Sequence, residues 1–183
     1  MDGVVVMEAD KEVGSEAEIK AEDKEPDMHF EILMNDKILY DYLVYHNYSK
    51  FSGILSVCFG VLGLLFFAKT MEAVYLALAI LLILYLPINL KYRSKVQMMN
   101  SVFKKPLVYD IGEKGITVSQ DDVVTCAEWD KCTKAVSTRQ SIVVYTGKRN
   151  ACIFPRKQLG EKLPGLLALL GKYMDPKKMK VRY

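Results

Sequence analysis

Histidine, cysteine and tryptophan are scarce in this sequence: two, four and one among 183 residues. His29 and His46 stand far from the cysteines, and Cys58, Cys126, Cys132 and Cys152 show no Cys-x-x-Cys pairing, so no zinc motif is legible. There is no glycine-rich phosphate loop, no Gly-x-Ser-x-Gly elbow and no His-Glu-x-x-His helix. Asp121 and Asp122 are adjacent acids without a neighbouring His or second carboxylate motif, which reads as a turn and not as a general acid. No catalytic, cofactor-binding or metal residue is assigned, no cofactor is expected, and the chain is not expected to be an enzyme. Basic residues are not interleaved with aromatics, so nucleic acid is not an expected partner either.

Charge is missing from two long stretches. Phe51 to Ala68 and Ala73 to Leu90 are each eighteen residues without Asp, Glu, Lys, Arg or His. A helix rising about 1.5 Å per residue needs roughly 20 mostly apolar residues to cross a hydrocarbon layer of about 30 Å. Each run reaches that length with one flanking turn. Only Lys69, Thr70, Met71 and Glu72 separate them, so the expected element is an antiparallel two-helix transmembrane hairpin over 51–90. Neither run shows the polar face of a soluble core helix. Without an ionisable residue in either span there is no candidate proton or ion path, which argues against a transporter.

The hairpin's orientation follows from its flanks. Lys50 precedes it; Lys91, Arg93 and Lys95 follow, with Lys104 and Lys105 soon after. Lys and Arg near the ends of spans stay on the cytoplasmic side. Both termini are thus expected inside, at the plasma (inner) membrane, with almost nothing outside. A cleaved signal peptide is not expected, because the first apolar run starts at residue 51 behind an acidic leader. One stripe of the first span is small: Gly53, Ser56, Gly60 and Gly63. Such a stripe admits a close helix. The second span, through Ala73, Ala77, Ile80 and Leu84, is the expected partner, with self-association into a homo-oligomer as the other use of the stripe.

The net charge of +3 conceals a split. Residues 1–27 hold ten acids and three lysines, net −7, which leaves +10 on the remainder. With no aromatic and few aliphatic residues, 1–27 is expected to be a disordered acidic tail. Residues 28–50 read as a strand over 29–34 and a juxtamembrane helix capped by Asn35 or Asp36, with Tyr45 and Tyr48 at the interface. Residues 91–106 read as a basic juxtamembrane helix ended by Pro106. Residues 107–174 read as a small cytoplasmic domain. Strands are expected at 107–111, 116–119, 123–128, 129–138, 142–146 and 151–155, with Gly, Asp or Asn at the breaks. An amphipathic helix over 163–174 should cover one side of the resulting antiparallel meander, and the 29–34 strand should join it. Residues 175–183 form a basic tail. Three cysteines fall in this domain, where thiols stay reduced and small buried side chains are the expectation. Trp129, the single tryptophan, is expected in the domain core, with ligand stacking as the sharper alternative.

The segment YDIGEKGITVSQDDVVTCAEWDKCTKAV, followed by SIVVYTGKRNACIFPRKQL, resembles the C-terminal domain of YcxB-like bacterial membrane proteins. The marks are the turn and GITV strand, Trp129 in EWDKCTKAV, and Ile153-Phe154-Pro155-Arg156 before the last helix. Cys132 stands where the family more usually has Ile, and Phe154 and Arg156-Lys157 vary the last motif. Over residues 29–174 the order of elements is also similar. The resemblance implies a membrane α+β protein whose cytoplasmic part is a pleckstrin-homology-like sheet capped by a C-terminal helix. These motifs are packing signatures, and the resemblance implies no biochemical role.

Two partner classes follow. The leading expectation is a protein partner bound by the cytoplasmic domain in regulation or assembly. The other is the membrane lipid itself: Lys91, Arg93, Lys95, Lys104 and Lys105 lie beside the spans, and Lys177, Lys178 and Lys180 lie in the tail, all of them candidates to face anionic head groups. Lys148, Arg149, Arg156 and Lys157 add charge around the last hairpin.

Overall fold

A computed structural model describes residues 26–100, 103–121, 123–147 and 150–181. Residues 1–25 of the tail expected over 1–27, together with Asp122, Lys148, Arg149 and Arg182, lie outside them. The chain is α+β, and its described residues divide between two compact units: Leu33–Lys105, and the remainder.

The helical unit begins where Asn35 turns the chain. Its side chain accepts from the Ile38 N–H at 2.9 Å, capping α1 (Asp36–Tyr48). Helix α1 buries Ile38, Leu39, Tyr42 and Leu43 at helical spacing. Helix α2 (Phe51–Thr70) and helix α3 (Ala73–Met98) follow. Between them Met71 takes a left-handed conformation, φ 56°, and its N–H bonds back to the Phe67 carbonyl at 2.7 Å, which closes α2 and reverses the chain in two residues. Helix α3 runs past the expected end of the apolar run, through Pro87 and the basic residues, to Met98.

The small stripe of α2 meets α3 as expected, but on another face. A Cβ at Gly60 would strike the Ile83 side chain, and one at Gly63 would lie 3.1 Å from the Ala79 Cβ. Ser56 Oγ donates to the Leu82 carbonyl at 3.2 Å. The seam on α3 is therefore Tyr75, Ala79 and Ile83, a spacing of four. The expected Ala73, Ala77, Ile80 and Leu84 are exposed. The observed face lies two residues, about 200°, further round the helix. The two-residue turn fixes that rotation, and small side chains alone do not. Gly53 belongs to a different contact: a Cβ there would collide with the Asn47 carbonyl at the end of α1.

The second unit holds β1 (Met28–Ile32), β2 (Leu107–Ile111), β3 (Gly115–Gln120), β4 (Val123–Glu128), β5 (Lys134–Ser137), β6 (Ser141–Tyr145), β7 (Ala151–Pro155) and β8 (Met179–Lys180). Its helices are the short α4 (Arg156–Leu159) and α5 (Leu163–Tyr173). The strand near the N-terminus joins β2 antiparallel, Phe30 opposite Tyr109, as its position in the sequence suggested. The expected single meander is instead two sheets. One runs β1-β2-β3-β4 and the other β7-β6-β5-β8, antiparallel apart from the short parallel pair β5–β8.

The break falls at Trp129–Lys131, a 3-10 turn that carries the chain from one sheet to the next. The expected strand over 129–138 is shortened to β5 by this corner. Trp129 is accordingly half-buried, not the core residue expected. The core is made instead by the inward residues of β2 and by β6 and β7. Leu107, Tyr109 and Ile111 are buried on β2, while β6 and β7 are buried along their whole length. The Phe154 ring sits 5.0 Å from that of Tyr109 and 6.0 Å, edge-on, from that of Phe30. Full burial of a side chain of this size is worth about 2–3 kcal/mol. Leu166, Leu167 and Leu170 supply the buried face of α5, whose Gly165 has room only for the Met28 methyl.

Candidate functional site

The helical unit presents apolar side chains outward. Phe59, Leu65, Phe66, Leu78, Leu81 and Ile88 are all exposed, although none is near a break in the helices. Both α2 and α3 are long and apolar enough to cross a membrane. On the last turns of α3, Lys91 and Lys95 are exposed one turn apart and Arg93 is half-buried; Lys104 and Lys105 are exposed beyond the helix.

The sheet unit is electrically polarised. Residues 27–32 and 106–131, which hold β1 to β4, carry eight acids and two bases. Residues 134–183, which hold β5 to β8, carry twelve bases and two acids. Lys177 and Lys180 of the tail are exposed, whereas Lys178 is half-buried and donates to the Cys132 carbonyl at 3.1 Å. Arg156 is also tied inward, with Nη2 on Ser137 Oγ at 2.6 Å.

At the acidic end, β4 is unusual. Among the described residues it pairs only with β3, in six consecutive residue pairs, and five of its six residues are exposed. Val123 is 55% and Val124 65% exposed. In the sequence this segment reads as one more strand of the meander. The signal that could have singled it out is a Val-Val pair bracketed by acids, Asp121 and Asp122 before it and Glu128 and Asp130 after it.

The cysteines divide by burial. Cys126 on β4 is exposed, which departs from the expectation of buried thiols in this unit, while Cys132 and Cys152 are buried; Cys58, on the apolar helix α2, is exposed as well. Burial pushes the Cys132 thiol up to about 11, opposed by the Lys178 ammonium and aided by Cys126. Burial, with Cys132 nearby, pushes Cys152 up to about 12. Neither is a nucleophile at neutral pH. Burial likewise raises Tyr109 well beyond the ordinary phenol range. Among the described residues, no group of three or more His, Cys, Asp or Glu is placed to hold a metal ion. His29 Nδ1 and Asp110 Oδ1 form a cross-strand pair at 2.6 Å on the surface of the first sheet.

No family model, curated protein or solved structure matches the chain.

Proposed function

We propose that the chain is a non-catalytic, two-span membrane protein of the YcxB-like type. The hairpin of α2 and α3 is its anchor, and the two-sheet unit is a pleckstrin-homology-like domain presented at the inner face of a bacterial plasma membrane. There it binds a protein partner in regulation or assembly. The observation that carries this reading is the hairpin's outer surface. Its helices meet through Gly60, Gly63 and Ala79, so their large apolar side chains are turned away from each other. In water each such side chain would forgo about 1.5–3 kcal/mol of burial. Hydrocarbon removes that cost, and the basic residues at 50 and 91–95 then hold both helix ends on the cytoplasmic side. Support for the pleckstrin-homology-like comparison is the order of elements: four antiparallel strands, a second sheet, then a helix.

The test is in-cell crosslinking of the full chain, with mass spectrometry of what is captured. The control is Phe154→Asp, which should unfold the sheet unit and leave the hairpin inserted. A specific protein captured by the wild type and lost in the control is expected. Capture of no protein would contradict this reading.

A second reading is favoured by the charge split. The basic half, with Lys177 and Lys180 exposed, suits an anionic lipid surface at about 1 kcal/mol per cation. Binding of the full chain's sheet unit to phosphatidylglycerol bilayers should then weaken steeply with salt and with Lys177→Ala and Lys180→Ala.

A further inference from the structure

We infer that the acidic stretch over residues 1–25 docks on the lysine loop that follows α5, continuing a contact that Asp27 already makes there. The docking rests on neither functional reading above; for the second it supplies an internal competitor of lipid.

The structure shows where the stretch joins the sheet unit. Asp27 Oδ2 accepts from the Tyr173 hydroxyl at 2.8 Å, and the Lys172 ammonium donates to the same hydroxyl at 2.9 Å. Tyr173 is the last residue of α5. The 3-10 turn Pro176–Lys178 and then β8 (Met179–Lys180) follow it closely. One corner of the fold holds these pieces together. Trp129 stacks on the Tyr173 ring, and three residues further on the Cys132 carbonyl accepts from Lys178 Nζ at 3.1 Å. The chain that precedes Asp27 therefore starts beside the lysine loop.

Charge selects the surface. Residues 1–25 carry nine acids and three lysines, net −6. The half of the sheet unit that holds β1 to β4 is acidic and repels the stretch, whereas the half that holds β5 to β8 is basic and attracts it. Within the basic half, residues 172–180 carry four lysines and one acid, net +3. That acid, Asp175, caps the 3-10 turn: its Oδ1 accepts the Lys177 N–H at 2.9 Å. Lys177 and Lys180 are exposed, and among the described residues no carboxylate forms an ion pair with either.

Tethering supplies what single pairs cannot. An isolated ion pair at a surface is weak. A segment joined at Asp27 meets the loop at an effective concentration on the order of millimolar, so several weak pairs act together. Residues 1–25 span about 80 Å when fully extended, so length keeps none of their acids from Lys177 and Lys180. These two lysines are also the exposed tail cations of the anionic-lipid reading. The docked stretch and an anionic head group thus exclude each other there.

Discs of neutral phosphatidylcholine that hold one copy of the full chain provide the test. The readout is acylation of lysines by a small uncharged N-hydroxysuccinimide ester, followed by mass spectrometry. The comparison is the variant E8Q, E12Q, E16Q, E18Q, E22Q, E25Q, whose stretch keeps three acids and three lysines and which alters none of residues 26–181. Lys177 and Lys180 should react about tenfold more slowly in the wild type than in the variant, while Lys157, exposed on α4, reacts equally in both. Salt at about 1 M, where the Debye length is about 3 Å, should abolish the difference. Equal rates at Lys177 and Lys180 in the two proteins, or a difference that persists at that salt, would overturn the assignment. On the lipid reading the variant should also bind phosphatidylglycerol vesicles more tightly than the wild type. Vesicle binding by neither protein would remove that reading, while slowed acylation would still establish the docked stretch.

Discussion

The indole of Trp129 lies flat on the ring of Tyr173, with centroids 5.3 Å apart and planes 15° from parallel. Trp129 Nε1 also donates to the Gly112 carbonyl at 3.0 Å, and the Tyr173 hydroxyl donates to Asp27 Oδ2 at 2.8 Å. The Lys172 ammonium lies 4.6 Å from the Tyr173 ring centroid. One half-buried stack thus ties the corner between the sheets to the β2–β3 turn, the end of α5 and the residue leading into β1. Replacing Trp129 by Ala should cost the sheet unit about 2–3 kcal/mol, and by Phe about 1 kcal/mol, because Phe keeps the stack and loses the hydrogen bond. Chemical denaturation followed by tyrosine near-UV circular dichroism measures both. Equal losses would show that stacking contributes nothing.

The α2–α3 seam depends on two missing side chains. Gly60→Leu with Gly63→Leu should force the helices apart, at about 1–3 kcal/mol, since Ile83 and Ala79 already fill the space. Electron–electron distance measurements between spin labels at Leu55 and Tyr85 should show a longer and broader distribution. Ala77→Leu, on an exposed face of α3, should leave the distance unchanged.

The thiols of the sheet unit should separate by reactivity and by pH. At pH 8 Cys126 should react with iodoacetamide in the native protein, while Cys132 and Cys152 should be slower by roughly 100-fold, because both are buried and stay protonated. Both thiols have folded values raised above 9.0, to about 11 and about 12, so above about pH 9 the unfolded chain releases protons that the folded chain keeps. Their contribution is complete below that pH and is lost as pH rises toward 11–12. Cys152→Ala should flatten this alkaline fall, as read by denaturation between pH 8 and 11.

Much of this architecture was legible in the sequence. The two apolar runs gave α2 and α3, because a charge-free stretch of that length has few alternatives. Strands β2, β4 and β7 fell at their expected limits, since Gly, Asp and Asn punctuate them. The 3-10 corner at Trp129 was not legible: a strand pattern continues across it, and only the pairing of β5 with β6 shows that the sheet has changed. The α3 seam was misplaced because composition does not fix helix rotation. The exposure of β4 is not legible in the sequence for a related reason. Alternation says which residues share a face, but not whether a neighbouring strand or layer covers it.

The central claim is a hairpin that crosses the membrane and leaves the sheet unit inside. Cys126, the exposed thiol of that unit, and a cysteine placed at Met71 in the turn, report its two sides. Intact cells are treated with a membrane-impermeant maleimide, and then permeabilised cells. The account expects the Met71→Cys thiol to be labelled in intact cells and Cys126 only after permeabilisation. Labelling of Cys126 in intact cells, or of the turn thiol only after permeabilisation, would contradict it.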